Sequence, residues 1–468
     1  MKLYFHKKMV SSVKIMLFIA IMISAVSCQK DFLDKKPNRA SLVPNKIADY
    51  QAILDDNSLF ITAPGLQETT ADDFEISDAA LQALLPIQIN AYKWADNMFA
   101  GLPSVPDWSS QYQQVFTCNL ILEGIEKLDT QLETTPAYTQ VKGTALFNRA
   151  FSFYNLAQLF AAPYTASTAN ALPGIPIRLS SDVNARYPRG TVQQTYDQVL
   201  KDLTAALPLL PDQVMYKSRP CKAAALALFA RVYLAMGNYE RGGDFAAQAL
   251  KIRPELIDYN SITGSATARL FPAAEPNGNI EVICFRTGVN YTYPALSPLV
   301  SVVPSLYNAY DNDDLRKILF FRDRGNGVLT FRGNYGGAIN TSVFNGFATD
   351  ELYLIHAECA ARLGNVAAAL ADLNKLLVNR FAREKFVPYA SNDQNEVLRL
   401  ILNERRKELI CRGLRWTDLR RLNQDSRFAI ELSRTVGGQV YKLLANANGY
   451  TFPIPDDEIQ AGGITQNP

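Results

Sequence analysis

The chain has 468 residues, of which 48% are hydrophobic and 20% charged, and its formal net charge is +2. This length and apolar content exclude a disulfide-stapled mini-protein and a chain that is disordered throughout. The near balance of acidic and basic residues gives no reason to expect nucleic acid as a partner.

The first 27 residues have the composition of a secretory signal peptide. Lysines precede an apolar run over residues 15–26, which at about 1.5 Å per helical residue is too short for a bilayer core of roughly 30 Å. The run ends at Ala25-Val26-Ser27-Cys28, an arrangement that resembles a bacterial lipoprotein signal. We predict that Cys28 is lipidated; the alternative is an ordinary signal peptide with a chance cysteine.

Helical periodicity dominates the rest of the chain. The segments whose apolar residues recur at helical steps are 47–54, 111–128, 141–160, 191–207, 395–411 and 416–422. Residues 223–254 match the spacing of a tetratricopeptide repeat, with Tyr233 as the groove-filling residue and Gly237 at the turn. Residues 351–380 predict a second such hairpin. We therefore expect a mainly α protein with tetratricopeptide-like hairpins that are interrupted by insertions.

Residues 260–349 differ in composition from the helical segments. They are rich in Gly, Pro, Asn and aromatic residues, which predicts an irregular, loop-rich insertion of the kind that carries binding surfaces. Residues 94–108 form a shorter segment of the same kind. The charge run 404–408 is expected to form a solvated helix face with intrahelical ion pairs.

Catalytic signatures are absent from the sequence. No G-x-S-x-G, H-E-x-x-H or Walker A pattern occurs, and His356, the one histidine after residue 27, is interpreted as a packed, hydrogen-bonded residue. Asp72-Asp73 and residues 311–314 could pair carboxylates for glycoside hydrolysis, but helix caps and solvated loops are the favoured interpretation. We predict no enzyme, no catalytic residue, no metal site and no cofactor.

The five remaining cysteines are odd in number and lack a C-x-x-C pair. They are interpreted as buried free thiols, although one disulfide is possible in an exported protein. They are Cys118, Cys221, Cys284, Cys359 and Cys411.

Sugar binding requires other residues than catalysis does. A pyranose ring has an apolar C–H face and a polar rim, so an exposed aromatic ring with a neighbouring amide can bind it. Trp94 with Asn97, and Tyr291 with Tyr293, are the candidate ligand-binding residues. Packing inside the protein is the alternative role for each of the three aromatic residues.

Six groups of segments follow one another along almost the whole mature chain. They are 28–34 with Pro37; Asp107-Trp108 with Tyr112 and Asn119; Arg149-Ala150-Phe151 with Ala162-Pro163-Tyr164; 351–365; 403–409 with 415–421; and 452–459 with 466–468. Their content and order resemble the SusD/RagB family of outer-membrane nutrient-binding lipoproteins of Bacteroidetes. The resemblance divides the chain into a signal peptide (1–27), an N-terminal helical region (28–215) and a C-terminal region with the hairpins and the insertion (216–468).

The resemblance also implies a function. Family members capture glycans or other nutrients at the cell surface and deliver them to a TonB-dependent, SusC-like transporter, on which the hairpin side packs. It implies a lipid-anchored outer-membrane protein facing the cell exterior, with ligands bound among loops and aromatic residues, and the region of Trp94 resembles one that supplies a ligand-stacking Trp in some members. The alternatives are a tetratricopeptide-type scaffold for protein segments and a secreted glycosidase.

Overall fold

The computed structural model describes residues 44–264, 270–274, 278–291, 300–337 and 342–467. Contacts between residues divide the chain into Met1–Asn45 and Lys46–Pro468, and all elements described below belong to the second unit. The predicted lipidation residue, Cys28, and the candidate binding residue Tyr293 lie outside the described residues. The predicted division of the chain at residue 215 stays a prediction.

The described part of the chain is mainly helical, as its periodicity predicts. Its α-helices are α1 (Ile47–Leu54), α2 (Asn57–Phe60), α3 (Gln67–Thr70), α4 (Asp78–Leu81), α5 (Pro86–Tyr92), α6 (Pro106–Ile125), α7 (Pro136–Phe160), α8 (Val192–Ala206), α9 (Lys222–Ala235), α10 (Tyr239–Ile252), α11 (Pro304–Tyr307), α12 (Arg316–Phe320), α13 (Thr349–Arg362), α14 (Val366–Leu377), α15 (Gln394–Glu408), α16 (Arg415–Leu422) and α17 (Asp456–Gly462). No helix among these residues is both long and apolar enough to span a bilayer.

The strands are short and pair as two-stranded sheets. They are β1 (Thr62–Ala63), β2 (Phe74–Ile76), β3 (Pro173–Pro176), β4 (Arg189–Thr191), β5 (Val282–Cys284), β6 (Thr287–Gly288), β7 (Val300–Val302), β8 (Phe321–Asp323), β9 (Leu329–Phe331), β10 (Phe347–Ala348), β11 (Leu432–Val436) and β12 (Gln439–Leu443). The pairs are β1–β6, which is parallel, and the antiparallel β2–β7, β3–β4, β5–β10, β8–β9 and β11–β12. Two of the pairs, β1–β6 and β2–β7, join segments more than 200 residues apart and connect the insertion to the N-terminal helical part.

Two helical hairpins form where the sequence predicts them. Helices α9 and α10 are joined through Gly237, and α13 and α14 through Gly364. Both glycines have a positive φ, a backbone conformation that is less strained for glycine than for other residues. Tyr233 is 5% exposed and stacks on Phe245 with 5.6 Å between ring centroids. A Cβ added at Gly243 would lie 3.2 Å from Cys359, so small residues allow α10 to approach α13. Their tetratricopeptide character remains a prediction.

The charge run on α15 is buried, which corrects the expected solvated face. Glu404, Arg405, Lys407 and Glu408 are all buried. Lys407 and Glu404 form one of the expected intrahelical pairs, but most partners of these residues come from other parts of the chain. Arg316 donates to Glu404 at 2.6 Å and to Glu408 at 3.0 Å. Helical periodicity reveals which residues share a face but not which distant charges meet that face, so the sequence could not indicate this ion network.

The five cysteines after residue 28 are free and buried, which confirms their interpretation as buried thiols. Burial raises the pKa of each of Cys118, Cys221, Cys359 and Cys411, so these thiols are held in the protonated, unreactive form.

Candidate functional site

A cleft of about 1040 Å³ lies where strand β2, the end of α5, the β8–β9 turn and strand β11 come together. We call it the Trp94 cleft. Its lining residues are Asp72, Phe74, Glu75, Ile76, Ser77, Ala79, Ala80, Tyr92, Trp94, Ser301, Val303, Asn326, Gly327, Val328, Ile430, Glu431, Leu432, Ser433, Arg434 and Thr435. The cleft therefore combines segments from both ends of the chain with the predicted aromatic-rich insertion.

Trp94 has an unusual backbone conformation in the wall of this cleft. Helix α5 ends at Tyr92, and the next turn closes with hydrogen bonds from Trp94 N to Ala91 O at 3.2 Å and from Ala95 N to Asn90 O at 3.0 Å. This is a Schellman C-cap, whose left-handed position is normally glycine. Trp94 occupies that position with φ +52°. A bulky residue raises the conformational energy at that position. Contacts with the rest of the fold therefore hold Trp94 in a backbone conformation that it does not favour.

The Trp94 side chain is fixed from two directions. Its indole Nε1 donates to the Thr70 carbonyl at 3.0 Å, and the guanidinium of Arg434 lies 4.4 Å from its ring centroid. The side chain is only 9% exposed. Trp94 therefore lies in the wall of the cleft with one face of its ring covered by Arg434, and its role as a binding residue stays a prediction.

Polar side chains surround the apolar floor of the cleft. Glu75 is the exposed residue of β2, between the buried Phe74 and Ile76, and partial burial raises the pKa of its carboxyl. Asn326 is exposed at φ +56° between Gly325 and Gly327. The side chains of Glu75 and Asn326 make no hydrogen bond within the described ranges, so both are available to a ligand.

Asp72, which lines the cleft, and its neighbour Asp73 are both held in ion pairs. The guanidinium of Arg415 donates to both carboxylate oxygens of Asp72, at 2.6 and 2.9 Å, and Arg406 donates to Asp73 at 2.8 Å. Burial opposes ionisation of Asp72, but the charges of Arg415 and Arg406 outweigh it and hold its pKa below the usual value. Asp72 held this way is a poor general acid. Both residues are engaged in ion pairs, so the solvated-loop interpretation does not describe them.

The other sequence-predicted binding residues lie elsewhere. Asn97 is exposed, but it does not line the Trp94 cleft. Tyr291 is 4% exposed, and its hydroxyl donates to the carboxylate of Asp107, which also accepts from Gly65 N at 2.7 Å. The Tyr291 ring has no solvent-facing side in this arrangement, so we leave it out of the proposed site. His356 is hydrogen-bonded to Asp372, as its interpretation predicts, and this bond raises the pKa of the imidazole.

Sequence reasoning missed the residues that reach the cleft from the far end of the chain. Ser433, Arg434 and Thr435 come from β11 of a hairpin that turns at Gly437-Gly438, both with positive φ. A Gly-Gly pair between alternating apolar residues is a recognisable signal for such a hairpin. Its position beside Trp94 depends on tertiary contacts and carries no local signal.

One carboxylate cluster in the described structure has the spacing of a metal site. Oxygen atoms of Glu281, Asp350 and Glu408 lie within 4.8 Å of one another. Arg380 donates to Glu281 and Glu408, both at 2.8 Å, and Arg412 donates to Asp350 at 2.8 Å. The guanidinium groups already supply the positive charge that a cation would bring, so we assign the cluster to the buried ion network.

Comparisons with known proteins place the chain in a family. A sequence model described as starch-binding and associating with the outer membrane matches residues 31–234, and the model of the SusD family matches residues 347–468. SusD-like protein P2 of Formosa agariphila is 28% identical over 140 residues, which cover 30% of this chain and 25% of that protein. The match thus spans about a quarter of this curated relative.

Solved structures share the fold over nearly the whole chain. A SusD superfamily protein from Bacteroides vulgatus superposes with a TM-score of 0.71 at 19% identity, covering 91% of this chain and 99% of that one. A SusD-like carbohydrate binding protein from the same species gives a TM-score of 0.67 at 19% identity, with 90% and 97% covered. The two family models and this shared fold agree with the motifs found along the sequence, and the chain belongs to the SusD/RagB family.

Proposed function

We propose that this protein is a surface lipoprotein that captures glycans in the Trp94 cleft and delivers them to a TonB-dependent, SusC-like transporter in the outer membrane. The observation that carries the proposal is the strained left-handed backbone of Trp94 in the wall of a large polar-rimmed cleft. Backbone strain that the surroundings impose clusters at binding sites. The description of the family model and the carbohydrate-binding protein of the same fold support this ligand class.

The cleft has the parts that recognise a sugar. Ile76, Val328 and Leu432 supply apolar surface for the C–H face of a pyranose, together with Trp94. Polar groups at Glu75, Asn326, Ser433 and Thr435 supply donors and acceptors for its hydroxyls. Because small-ligand sites measure about 300–1,000 Å³, a cleft of about 1040 Å³ suits an oligosaccharide better than a single sugar.

Anchoring and delivery form the second part of the proposal. Lipidation at Cys28 would tether the protein to the outer membrane on the side facing the exterior, and the helical hairpins would pack on the transporter. Family membership supports both statements. We further propose binding without catalysis, since both carboxylate oxygens of Asp72 are bound by Arg415 and the sequence has no G-x-S-x-G, H-E-x-x-H or Walker A pattern.

Calorimetry of the protein starting after Cys28, against neutral hexasaccharides, tests the binding site. Asn326→Gly removes the amide and suits the positive φ, and Glu75→Gln removes the charge. Each should weaken binding by about fivefold or more, a loss of about 1 kcal/mol, without lowering the melting temperature. The matched controls are Asn184→Gly and Glu126→Gln, at exposed positions outside the cleft.

Three results would contradict the proposal. Unchanged affinity in both cleft variants would remove the Trp94 cleft as the binding site. Release of reducing ends by the pure protein would show catalysis. Failure of the full-length protein to co-purify with any TonB-dependent barrel of the same outer membrane, under conditions that preserve membrane complexes, would contradict delivery to such a transporter.

A further inference from the structure

A second cleft, of about 720 Å³, lies between the segment 305–313 and the segment 381–389, with α15 at its base. We call it the Tyr389 cleft. We propose that it is a second glycan-binding site, which takes a neutral oligosaccharide. This inference rests on the proposed function, which supplies the ligand class, glycans. The position of the site and the neutral charge of the ligand are inferred from the residues of the Tyr389 cleft.

Three aromatic rings pack against one another in succession from the core to the mouth of this cleft. Phe381 is buried, Phe386 is half-buried and Tyr389 is 36% exposed. The ring centroids are 5.2 Å apart for Phe381 and Phe386 and 6.2 Å apart for Phe386 and Tyr389. The inner rings support the outer one, so Tyr389 can present its ring to a ligand without being part of the core.

The backbone beneath Tyr389 is held in place before any ligand arrives. Asn374 accepts from Tyr389 N at 2.8 Å, and its amide donates to Tyr389 O at 3.0 Å. Both backbone groups of the residue are therefore fixed by one side chain of α14. A platform that is fixed in advance loses little conformational freedom on binding, as a stacking residue requires.

Available polar groups surround the ring. Asn308, Asp313, Lys385 and Asn403 are exposed lining residues, and none of their side chains has a hydrogen-bond partner among the residues the structure describes. Amide, carboxylate and ammonium groups together offer both donors and acceptors. This mixture suits the hydroxyl groups of a sugar, each of which donates and accepts.

The charges of the cleft point to a neutral ligand. At its base, Lys407 donates to Glu404 at 2.6 Å, and Arg406 is engaged with Asp73 at 2.8 Å. The exposed charges that remain are Asp311, Asp313 and Lys385, one cation against two anions. A site for phosphate, sulfate or a uronic acid would carry an excess of positive charge, which this cleft lacks.

The two clefts share a wall. Arg406 lines the Tyr389 cleft, and Asp72 lines the Trp94 cleft. These two residues form an ion pair at 3.1 Å. Substitutions in the Tyr389 cleft that spare Arg406 therefore leave the wall of the Trp94 cleft intact, which allows the two sites to be tested separately.

The test is calorimetry of the protein starting after Cys28 with maltohexaose, cellohexaose, laminarihexaose, mannohexaose and xylohexaose, and with hexagalacturonate as the anionic comparator. For a neutral probe that binds, wild-type protein should show two sites. Tyr389→Ala should weaken one of them by about fivefold or more, with an unchanged melting temperature. Tyr389→Phe keeps the ring and should stay close to wild type. Tyr216→Ala, at an exposed tyrosine outside both clefts, is the matched control.

Each alternative outcome has a definite meaning. Two undiminished sites in Tyr389→Ala would overturn this proposal and leave the proposed function standing. Loss of a site in Tyr389→Ala, with no effect of Asn326→Gly, would support the second site and count against the Trp94 cleft. Binding of hexagalacturonate alone at the Tyr389 cleft would overturn the neutral class, and so would the absence of binding by every neutral probe at millimolar concentration.

Discussion

The guanidinium of Arg434 lies against the indole of Trp94, 4.4 Å from its ring centroid. The same group lies 4.0 Å from the ring centroid of Tyr92 and donates to the Tyr92 carbonyl at 2.6 Å. It also donates to the Thr69 carbonyl at 3.1 Å. One side chain of β11 thus joins the end of α5 to the segment that precedes β2, and it fixes two walls of the Trp94 cleft together.

The strained backbone at Trp94 predicts that a glycine variant at this position is more stable than an alanine variant. Trp94→Ala removes the indole and its contact with Arg434 but keeps a side chain at φ +52°. Trp94→Gly makes the same deletion and removes the backbone penalty, which is about 1–2 kcal/mol for a left-handed residue. We expect both variants to be less stable than wild type, with Trp94→Gly the more stable of the two by about 1 kcal/mol. Urea denaturation measures the difference, and a more stable alanine variant would contradict it.

Helical hairpins could be predicted because their signals are local. Apolar spacing marks the faces of α9, α10, α13 and α14, and Gly237 and Gly364 mark the turns between them. Each hairpin is complete within about 30 residues, so one stretch of sequence contains both the helices and the reason for the turn.

The candidate site could be predicted only in part, because its residues meet through long-range contacts. Trp94 was found from its local surroundings, but Arg434 covers the ring from a position 340 residues later. The β2–β7 pairing that sets Glu75 opposite Ser301 joins strands of three residues each. Strands that short have too little alternation to identify, and nothing in either segment specifies the other.

Tyr233 should contribute strongly to the first hairpin. Its ring packs with those of Phe229 and Phe245, at centroid distances of 6.3 and 5.6 Å, and the guanidinium of Arg241 is 4.7 Å from its centroid. Tyr233→Ala should lower the free energy of unfolding by about 3–5 kcal/mol, as for other buried aromatic residues. Tyr233→Phe keeps the stack and is the matched control, with an expected loss below about 1 kcal/mol. Equal stability of the two variants would mean that the stack does not support the hairpin.

The buried ion network predicts a large effect at Arg380. Its guanidinium bonds Glu281 and Glu408 and lies 4.0 Å from the ring centroid of Tyr259. Arg380→Met leaves two buried carboxylates without this partner, and we expect a loss of about 3–5 kcal/mol in urea denaturation. Arg427→Met, in an exposed pair with Asp425, should cost less than about 1 kcal/mol. Similar losses in the two variants would show that burial does not determine the strength of these pairs.

Membrane attachment should depend on Cys28 alone among the cysteines. Each buried CH₂ of an acyl chain contributes about 0.8 kcal/mol to membrane binding, so we expect Cys28→Ala to be unprocessed or released from the outer-membrane fraction. Cys118→Ala, at a buried free thiol, is the matched control and should fractionate like wild type. Fractionation with fatty-acid labelling measures both properties, and a Cys28→Ala protein retained at the wild-type level would disprove the anchor.

Glu68 should make the protein less stable as the pH rises. Its carboxyl is buried, one oxygen accepts from Gly413 N, and the other has no partner among the described residues. Desolvation raises its pKa from 4.5 to about 8, and the nearby Asp73 adds to the effect. Between these two values the folded protein binds a proton that the unfolded chain has released, so the free energy of unfolding falls across this range as pH rises.

The variant Glu68→Gln tests this titration because it stays neutral at every pH and still offers an oxygen to Gly413 N. Its stability relative to wild type should therefore increase from pH 4.5 towards pH 8, the range set by the two pKa values. Urea denaturation at several pH values measures the difference, with Glu126→Gln at an exposed position as the control. A constant difference between Glu68→Gln and wild type over this range would show that the Glu68 carboxyl does not keep its proton in the folded protein.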